Sequence, residues 1–209
     1  MAIRRWSRGL LSIVGVRLRH RGAPERMPER CFMVLNHVSW LDIFVLDALY
    51  PAVFVAKSEI NRWPLVGMFA RRVGTLFIER GSRRAALRTN EQIAAALVSG
   101  RRVACFPEGT TTYGHSVTRF HGALFQPAID AGATVQPVVL RYLDSEGRVS
   151  KASAYVGEDS LLKSIWRLVS ERSLVAELRF LPSVAANGGK RRSFAQQVRA
   201  DIAQALASA

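Results

Sequence analysis

Cys31-Phe32-Met33-Val34-Leu35-Asn36-His37-Val38-Ser39-Trp40-Leu41-Asp42 is the stretch from which the rest of the chain is read. Its first five residues are all apolar, a run of strand length with no polar position, which is the pattern of a strand covered on both faces. Asn36, His37 and Ser39 then break the run, and Asp42 opens a helical segment to Leu49 that stops at Pro51. Strand, polar turn and helix in succession belong to α/β sheets, where functional groups collect at strand ends.

The same alternation recurs on either side. Further strands are expected near Ala52–Ala56, Thr75–Ile78, Val103–Phe106, Thr134–Leu140, Ser153–Val156 and Val175–Leu181. Between them Arg84–Val98 reads as a helix ending at Gly100, and Ser193–Leu206 carries Phe194, Val198, Ile202, Ala205 and Leu206 on one stripe. The 209 residues and their alternating elements predict one α/β domain with a largely parallel central sheet flanked by helices. The polar segments 144–151 and 187–190 read as surface connections.

Composition narrows the partners. Apolar residues make up 49% of the chain, which excludes a disordered or low-complexity protein. Cys31 and Cys105, the 2 cysteines, sit in apolar runs without metal spacing or a disulfide framework, and fit a reducing compartment. Thirty Lys and Arg against 16 Asp and Glu give a net charge of +14, which draws polyanions: a nucleic acid or an anionic leaflet. The excess is concentrated in residues 1–30 and 62–102. The arginine pairs, Arg71-Arg72 and Arg101-Arg102 among them, lack the aromatic interleaving of a nucleic-acid motif, so no nucleic-acid partner is expected.

Leu10–Val16 lies between Arg8 and Arg17 and is too short to span a bilayer, which takes roughly 20 residues. With Trp6 at its edge it suits a helix lying among lipid headgroups, and equally an ordinary N-terminal helix packed on the domain. Residues 1–30 are accordingly expected to form a basic, amphipathic, membrane-associating segment ahead of a catalytic domain over 31–209.

His37 and Asp42 are five residues apart, about 140° around a regular helix, so they meet only if His37 lies in the turn and Ser39 caps the helix that carries Asp42. A hydrogen-bonded core histidine is the plain alternative. A second polar island follows another strand, Cys105-Phe106-Pro107-Glu108-Gly109-Thr110-Thr111-Thr112. Its glycine and three hydroxyl residues form either a loop able to cradle an oxyanion or a simple Gly-Thr turn. Glu108 with His115 and His121 matches no common metal spacing, and Cys105 inside its apolar run reads as a buried hydrophobe rather than a nucleophile.

Taken together, Asn36-His37-x-x-x-x-Asp42, Gly74-Thr75-Leu76-Phe77-Ile78-Glu79-Arg80, Phe106-Pro107-Glu108-Gly109-Thr110 and Val135-Gln136-Pro137-Val138 occur in an order and at spacings that resemble the glycerolipid acyltransferase family. The resemblance covers about residues 31–142 and continues more weakly to about 182. It implies that His37 is the general base acting on the acceptor hydroxyl and that Asp42 orients and charges its imidazole. Arg80 would contact an acceptor phosphate, Glu108, Gly109, Thr110 and Thr111 would help hold the acceptor, and Pro137 would lie near the acyl chain. It further implies a thioester donor, acyl-ACP or acyl-CoA, a lysolipid acceptor, no cofactor or metal, and peripheral or monotopic attachment to an anionic membrane on its cytoplasmic face. A thioester is already activated, so no covalent Ser or Cys is needed, and the chain has no G-x-S-x-G elbow. Two positions depart from the family: Thr111, where Arg is common, and His121, where Lys is common. Both remove a phosphate partner, leaving lysophosphatidic acid or a less charged acceptor, such as lyso-ornithine lipid, as the alternatives. A basic membrane- or RNA-binding module without activity is the alternative from another class.

Overall fold

A strand that is apolar at every position has to lie between two layers, and β2 (Cys31–Leu35) is buried along its whole length in the middle of the sheet. The computed structural model describes residues 2–58, 70, 74–78, 83–157, 159–171, 173–186 and 189–208. The other strands are β1 (Val16–Arg21), β3 (Val53–Lys57), β4 (Leu76–Ile78), β5 (Val103–Cys105), β6 (Thr134–Leu143), β7 (Leu174–Phe180) and β8 (Val184–Ala185). The helices are α1 (Ala2–Ile13), α2 (Asp42–Asp47), α3 (Arg83–Val98), α4 (Gln126–Asp130), α5 (Leu161–Val169) and α6 (Arg191–Ala207). Across the sheet the strands run β1-β7-β6-β2-β5-β3-β4, with β8 also paired to β6. All described pairings are parallel except β6 with β7 and with β8.

Alternate residues of β2 feed two cores. Cys31, Met33 and Leu35 pack with Leu11 of α1, Val45 and Leu46 of α2, and Leu168 of α5. Phe32 and Val34 pack with Ile93 and Leu97 of α3, Ala128 of α4, and Val198 and Ile202 of α6. This is the expected sheet flanked by helices, and the expected strands and helices match observed ones to within a few residues, with one exception.

That exception is Ser153–Val156, which forms no strand. Two of its carbonyls are taken by side chains instead of a ladder: Arg167, which also donates to the preceding Ala152 O at 3.0 Å, donates to Ala154 O, and Thr111 Oγ1 donates to Tyr155 O. The boundary expected after residue 30 is also not a structural one. Leu11, Val14 and Val16 belong to the core, and β1 pairs in parallel with β7. Many of the N-terminal arginines have internal partners. Arg4 and Arg8 donate to Ala48 O just beyond α2, and Arg17 donates to Ser173 Oγ. Buried Glu177 of β7 receives Arg19 at 2.7 Å, Arg21 at 3.6 Å and Arg141 of β6 at 2.6 Å. Burial opposes ionisation of Glu177, but these guanidinium groups hold its carboxyl below the usual range.

Pro137 sits inside β6, where a proline has no amide to offer. The partner strand is interrupted at the same level, between the end of β7 and the start of β8. Leu181 N donates to Pro137 O at 3.0 Å, and Gln136 Nε2 donates to Leu181 O at 2.6 Å, supplying the donor the proline lacks. The Gln136-Pro137 pair therefore reads as a sheet device, buried on both residues.

Asp47 closes α2 and accepts from Ala52 N at 3.0 Å, tying the helix to the start of β3. Its Oδ2 is buried without a hydrogen-bond partner. Burial pushes the carboxyl up to about 7, against the Ala52 amide and the Arg102 charge, which pull it down. Below about pH 4 the acid is protonated whether the chain is folded or unfolded, so burial carries no penalty there. As pH rises towards 7 the unfolded chain gains an ionisation the folded one resists, and stability falls. Asp47→Asn should therefore be the more stable protein at pH 8, by up to roughly 2–4 kcal/mol, with the difference fading towards pH 4 in urea titrations.

Candidate active site

At the end of β2 the chain leaves the sheet without losing its hydrogen bonds. Asn36 is fully buried, and its side-chain amide donates to Leu140 O at 2.9 Å while its Oδ1 accepts from Leu140 N at 2.8 Å. The amide continues the parallel ladder with β6 and frees the next residue to turn outward.

That residue is His37, gripped at its backbone by the loop after β5. His37 N donates to Glu108 Oε1 at 2.9 Å, and His37 O accepts from Thr112 N at 2.8 Å and Thr112 Oγ1 at 3.3 Å. Glu108 Oε2 in turn accepts from the amide and the hydroxyl of Thr118, both at 2.8 Å. The imidazole stacks on Phe106 at 4.0 Å and 13°, and Phe106 stacks on Phe54 at 6.0 Å. A ring clamped in this way keeps one orientation, with 20% of the side chain still exposed.

Asp42 begins α2 with its carboxylate turned back over the turn. Oδ2 accepts from Val38 N at 2.8 Å, from Ser39 N at 3.0 Å and from His37 Nδ1 at 2.8 Å. Oδ1 accepts from the Tyr142 hydroxyl of β6 at 2.8 Å. The anticipated cap at Ser39 is thus replaced by the reverse arrangement. Ser39 Oγ accepts from Leu41 N at 3.3 Å, Leu41 holds the cap position with a helical backbone, and the aspartate organises the turn. With Nδ1–H directed at the carboxylate, Nε2 carries the lone pair. Asp42 is fully buried, and the Tyr142 hydroxyl is kept protonated by burial and by the adjacent carboxylate. The geometry is that of a general base with its orienting acid.

The other anticipated site residues divide. Glu108 reaches the His37 turn, where its carboxylate accepts from His37 N and from the amide and hydroxyl of Thr118. Gly109 takes a left-handed φ of +67° in the turn that closes on Phe106 O, a conformation that favours glycine. Thr110 is exposed, whereas Thr111 turns its hydroxyl inward to Tyr155 O. Pro137 is buried in β6 and belongs to the β7–β8 crossing described above. Glu79 and Arg80 lie outside the described residues. Cys105 is buried and its thiol is pushed well up by desolvation, which removes it as a nucleophile. Among the described residues no group of three or more His, Cys, Asp or Glu is arranged to hold a metal ion.

Tyr142 and Thr118 are site residues with no part in the sequence reading, and Thr112, read there only as a loop hydroxyl, bonds the His37 carbonyl. For Tyr142 a signal existed: Val138, Leu140 and Tyr142 share one face of β6, and a tyrosine ending such a buried run needs a partner for its hydroxyl.

Comparisons with known proteins bear on the family of the chain. The profile of the family described as Acyltransferase matches residues 17–141. The 1-acyl-sn-glycerol-3-phosphate acyltransferase of Neisseria meningitidis is 41% identical over 175 residues, 83% of this chain and 68% of that protein. The lyso-ornithine lipid O-acyltransferase of Pseudomonas aeruginosa is 37% identical over 201 residues, 96% of this chain and 76% of that protein. The crystal structure of the 1-acyl-sn-glycerophosphate acyltransferase from Thermotoga maritima superposes with a TM-score of 0.70 at 19% identity, covering 100% of this chain and 79% of that one, and so shares the fold. The α/β sheet, the His37–Asp42 turn and the two bacterial relatives converge on one assignment: the chain belongs to the acyltransferase family.

Proposed function

We propose that this acyltransferase moves a fatty acyl group from a thioester, acyl-ACP or acyl-CoA, to the free hydroxyl of a lysolipid, with lysophosphatidic acid as the first-choice acceptor and phosphatidic acid as product. The observation that carries the reading is the His37–Asp42 pair, locked by bonds from β6 and from the loop after β5. His37 Nε2 takes the proton of the acceptor hydroxyl as its oxygen attacks the thioester carbonyl, and Asp42 stabilises the imidazolium that forms. The carbon–oxygen bond forms, the carbon–sulfur bond breaks, and the imidazolium proton passes to the departing thiolate. No covalent enzyme intermediate or cofactor enters. A positioned base supplies about 10²- to 10⁴-fold, and holding two substrates together supplies more.

A second acceptor has support of its own. Position 111, where an arginine would bring a cation, carries a threonine bonded inward to Tyr155 O, and the relative that aligns over 96% of this chain, at 37% identity, is a lyso-ornithine lipid acyltransferase. A phosphate monoester carries close to two charges and draws more than one cation, so fewer cations favour a less charged acceptor. Arg80 is the residue we assign to the phosphate if lysophosphatidic acid is used. We place the enzyme at the cytoplasmic face of a membrane, held at an anionic surface through α1, whose Trp6 and Ile13 are exposed beside Arg4, Arg5 and Arg8. No described helix is long and apolar enough to cross a membrane.

Thiol release from acyl-CoA or acyl-ACP, measured on a panel of lysolipids, tests these assignments. His37→Ala should lower turnover by at least about 10²-fold in a folded protein, and activity within a few-fold of wild type would remove His37 as the base. Tyr142→Phe keeps the packing but takes one donor from Asp42. With one oxygen of the buried carboxylate left unpaired, turnover should fall by roughly tenfold in a folded protein. Turnover at the wild-type level would leave Tyr142 a packing residue. Arg80→Ala should reduce kcat/KM for lysophosphatidic acid far more than for lyso-ornithine lipid. If wild type uses only the phosphate-free acceptor, the second reading replaces the first.

A further inference from the structure

Helix α5 presents a face that the fold leaves uncovered. Its inner side is formed by the buried Ser164 and Leu168, and Ser164 Oγ accepts from Trp40 Nε1 at 3.1 Å. On the opposite side Leu162, Trp166 and Val169 fall at i, i+4 and i+7, in one stripe, and are 81%, 74% and 46% exposed. Single exposed apolar side chains are ordinary on a protein surface; three aligned on one helix, with a tryptophan among them, mark a contact surface.

Charge and continuity indicate what covers it. The helix carries no acidic residue, and Lys163 lies exposed beside the stripe. Trp40, which Ser164 holds, meets Phe44 of α2 edge to face at 6.0 Å, and Phe44 meets Trp6 of α1 edge to face at 5.2 Å. This aromatic chain starts from the buried side of α5 and reaches α1 through α2, so the two helices cover the same face of the sheet, and α1 is itself amphipathic, rich in arginine and without acidic residues. Asp159, paired with Arg167, and Glu171 flank α5 in sequence, but the two helices themselves hold cations and no acids, and apolar side chains that include tryptophan on such helices complement an anionic headgroup layer over hydrocarbon.

We propose that Leu162, Trp166 and Val169 insert into an anionic bilayer, making α5 a second membrane contact joined to α1 and seating the His37 turn at the lipid surface. The proposal deepens the lysolipid reading by assigning a membrane contact outside the N-terminal helix. It is tested by vesicle binding, a readout independent of turnover.

The experiment uses the full chain and vesicles of equal parts phosphatidylglycerol and phosphatidylcholine. Leu162→Ser, Trp166→Ser and Val169→Ser combined should lower vesicle partitioning at least about tenfold, as loss of one of two membrane signals does. Turnover of a short-chain lysolipid dissolved as monomer should stay at the wild-type level. Lipids brominated on their chains should quench wild-type fluorescence more than that of Trp166→Phe, and this arm decides the matter if the triple variant does not fold. Partitioning within twofold of wild type, or equal quenching in Trp166→Phe, overturns the proposal. Intact vesicle binding with activity lost only when the donor is acyl-ACP would make the stripe a carrier-protein dock and equally overturn it. Weakened vesicle binding in an enzyme that acylates no lysolipid would support the contact while removing the functional reading.

Discussion

A carboxylate with no exposure to solvent is tolerable only if its oxygens are occupied, and Asp42 meets that requirement with four donors drawn from three places. Two are amides of its own turn, one is the imidazole of His37, and one is the Tyr142 hydroxyl from the neighbouring strand. The turn must curl so that Val38 N and Ser39 N point inward, and β6 must lie beside β2 for Tyr142 to reach. The imidazole inherits its orientation from both demands. The geometry of the His37–Asp42 pair and the local folding are here a single constraint, because loosening any donor leaves a buried charge less satisfied.

How much of this could be read from the residues depends on how far apart the partners lie. β2 was legible because an unbroken apolar pentamer has few other uses, and the polar residues after it marked the strand end where His37 stands. Glu108 was legible as a site residue by its place after β5, but its direction was not: bonds to an amide one residue beyond Asn36 and to Thr118 follow from the folded loop. Thr111 likewise differs from the role its motif implies because Tyr155, forty-four positions on, offers a carbonyl. β1 was hidden because Arg17, Arg19 and Arg21 alternate with Val16, Leu18 and His20, a pattern shared by basic surface segments, while the carboxylate that accepts two of those arginines belongs to Glu177. α5 was hidden for the opposite reason, since its bulkiest apolar side chains face outward and its buried face holds a serine.

The arginine surplus also changes meaning in three dimensions. Net charge counts every guanidinium alike, yet Arg4 and Arg8 end on the carbonyl of Ala48, Arg19, Arg21 and Arg141 on Glu177, and Arg167 on the 152–159 segment. These are structural ties, and in Arg167 the guanidinium fork serves Ala152 O, Ala154 O and Asp159 at once. Arg4 and Arg8, bonded to a neutral carbonyl, keep their charge and still attract a polyanion, whereas the arginines facing Glu177 and Asp159 are partly offset.

The pairing of β1 with β7 joins the first strand of the chain to nearly the last, Val16 opposite Leu174 and Arg21 opposite Arg179. On a ribosome the chain emerges from its N-terminus, so β1 is exposed from the outset while its partner is the last long strand to appear. Until then Arg19 and Arg21 lack their carboxylate and the sheet stops at β6. Closure over such a separation has a loop-entropy cost that local elements do not, which makes docking of the N-terminal strand a late event in the life of each molecule. The basic amphipathic helix that precedes it meets α2 early, through Trp6 with Phe44 and Arg4 and Arg8 with Ala48 O, and covers a sheet that still lacks its edge.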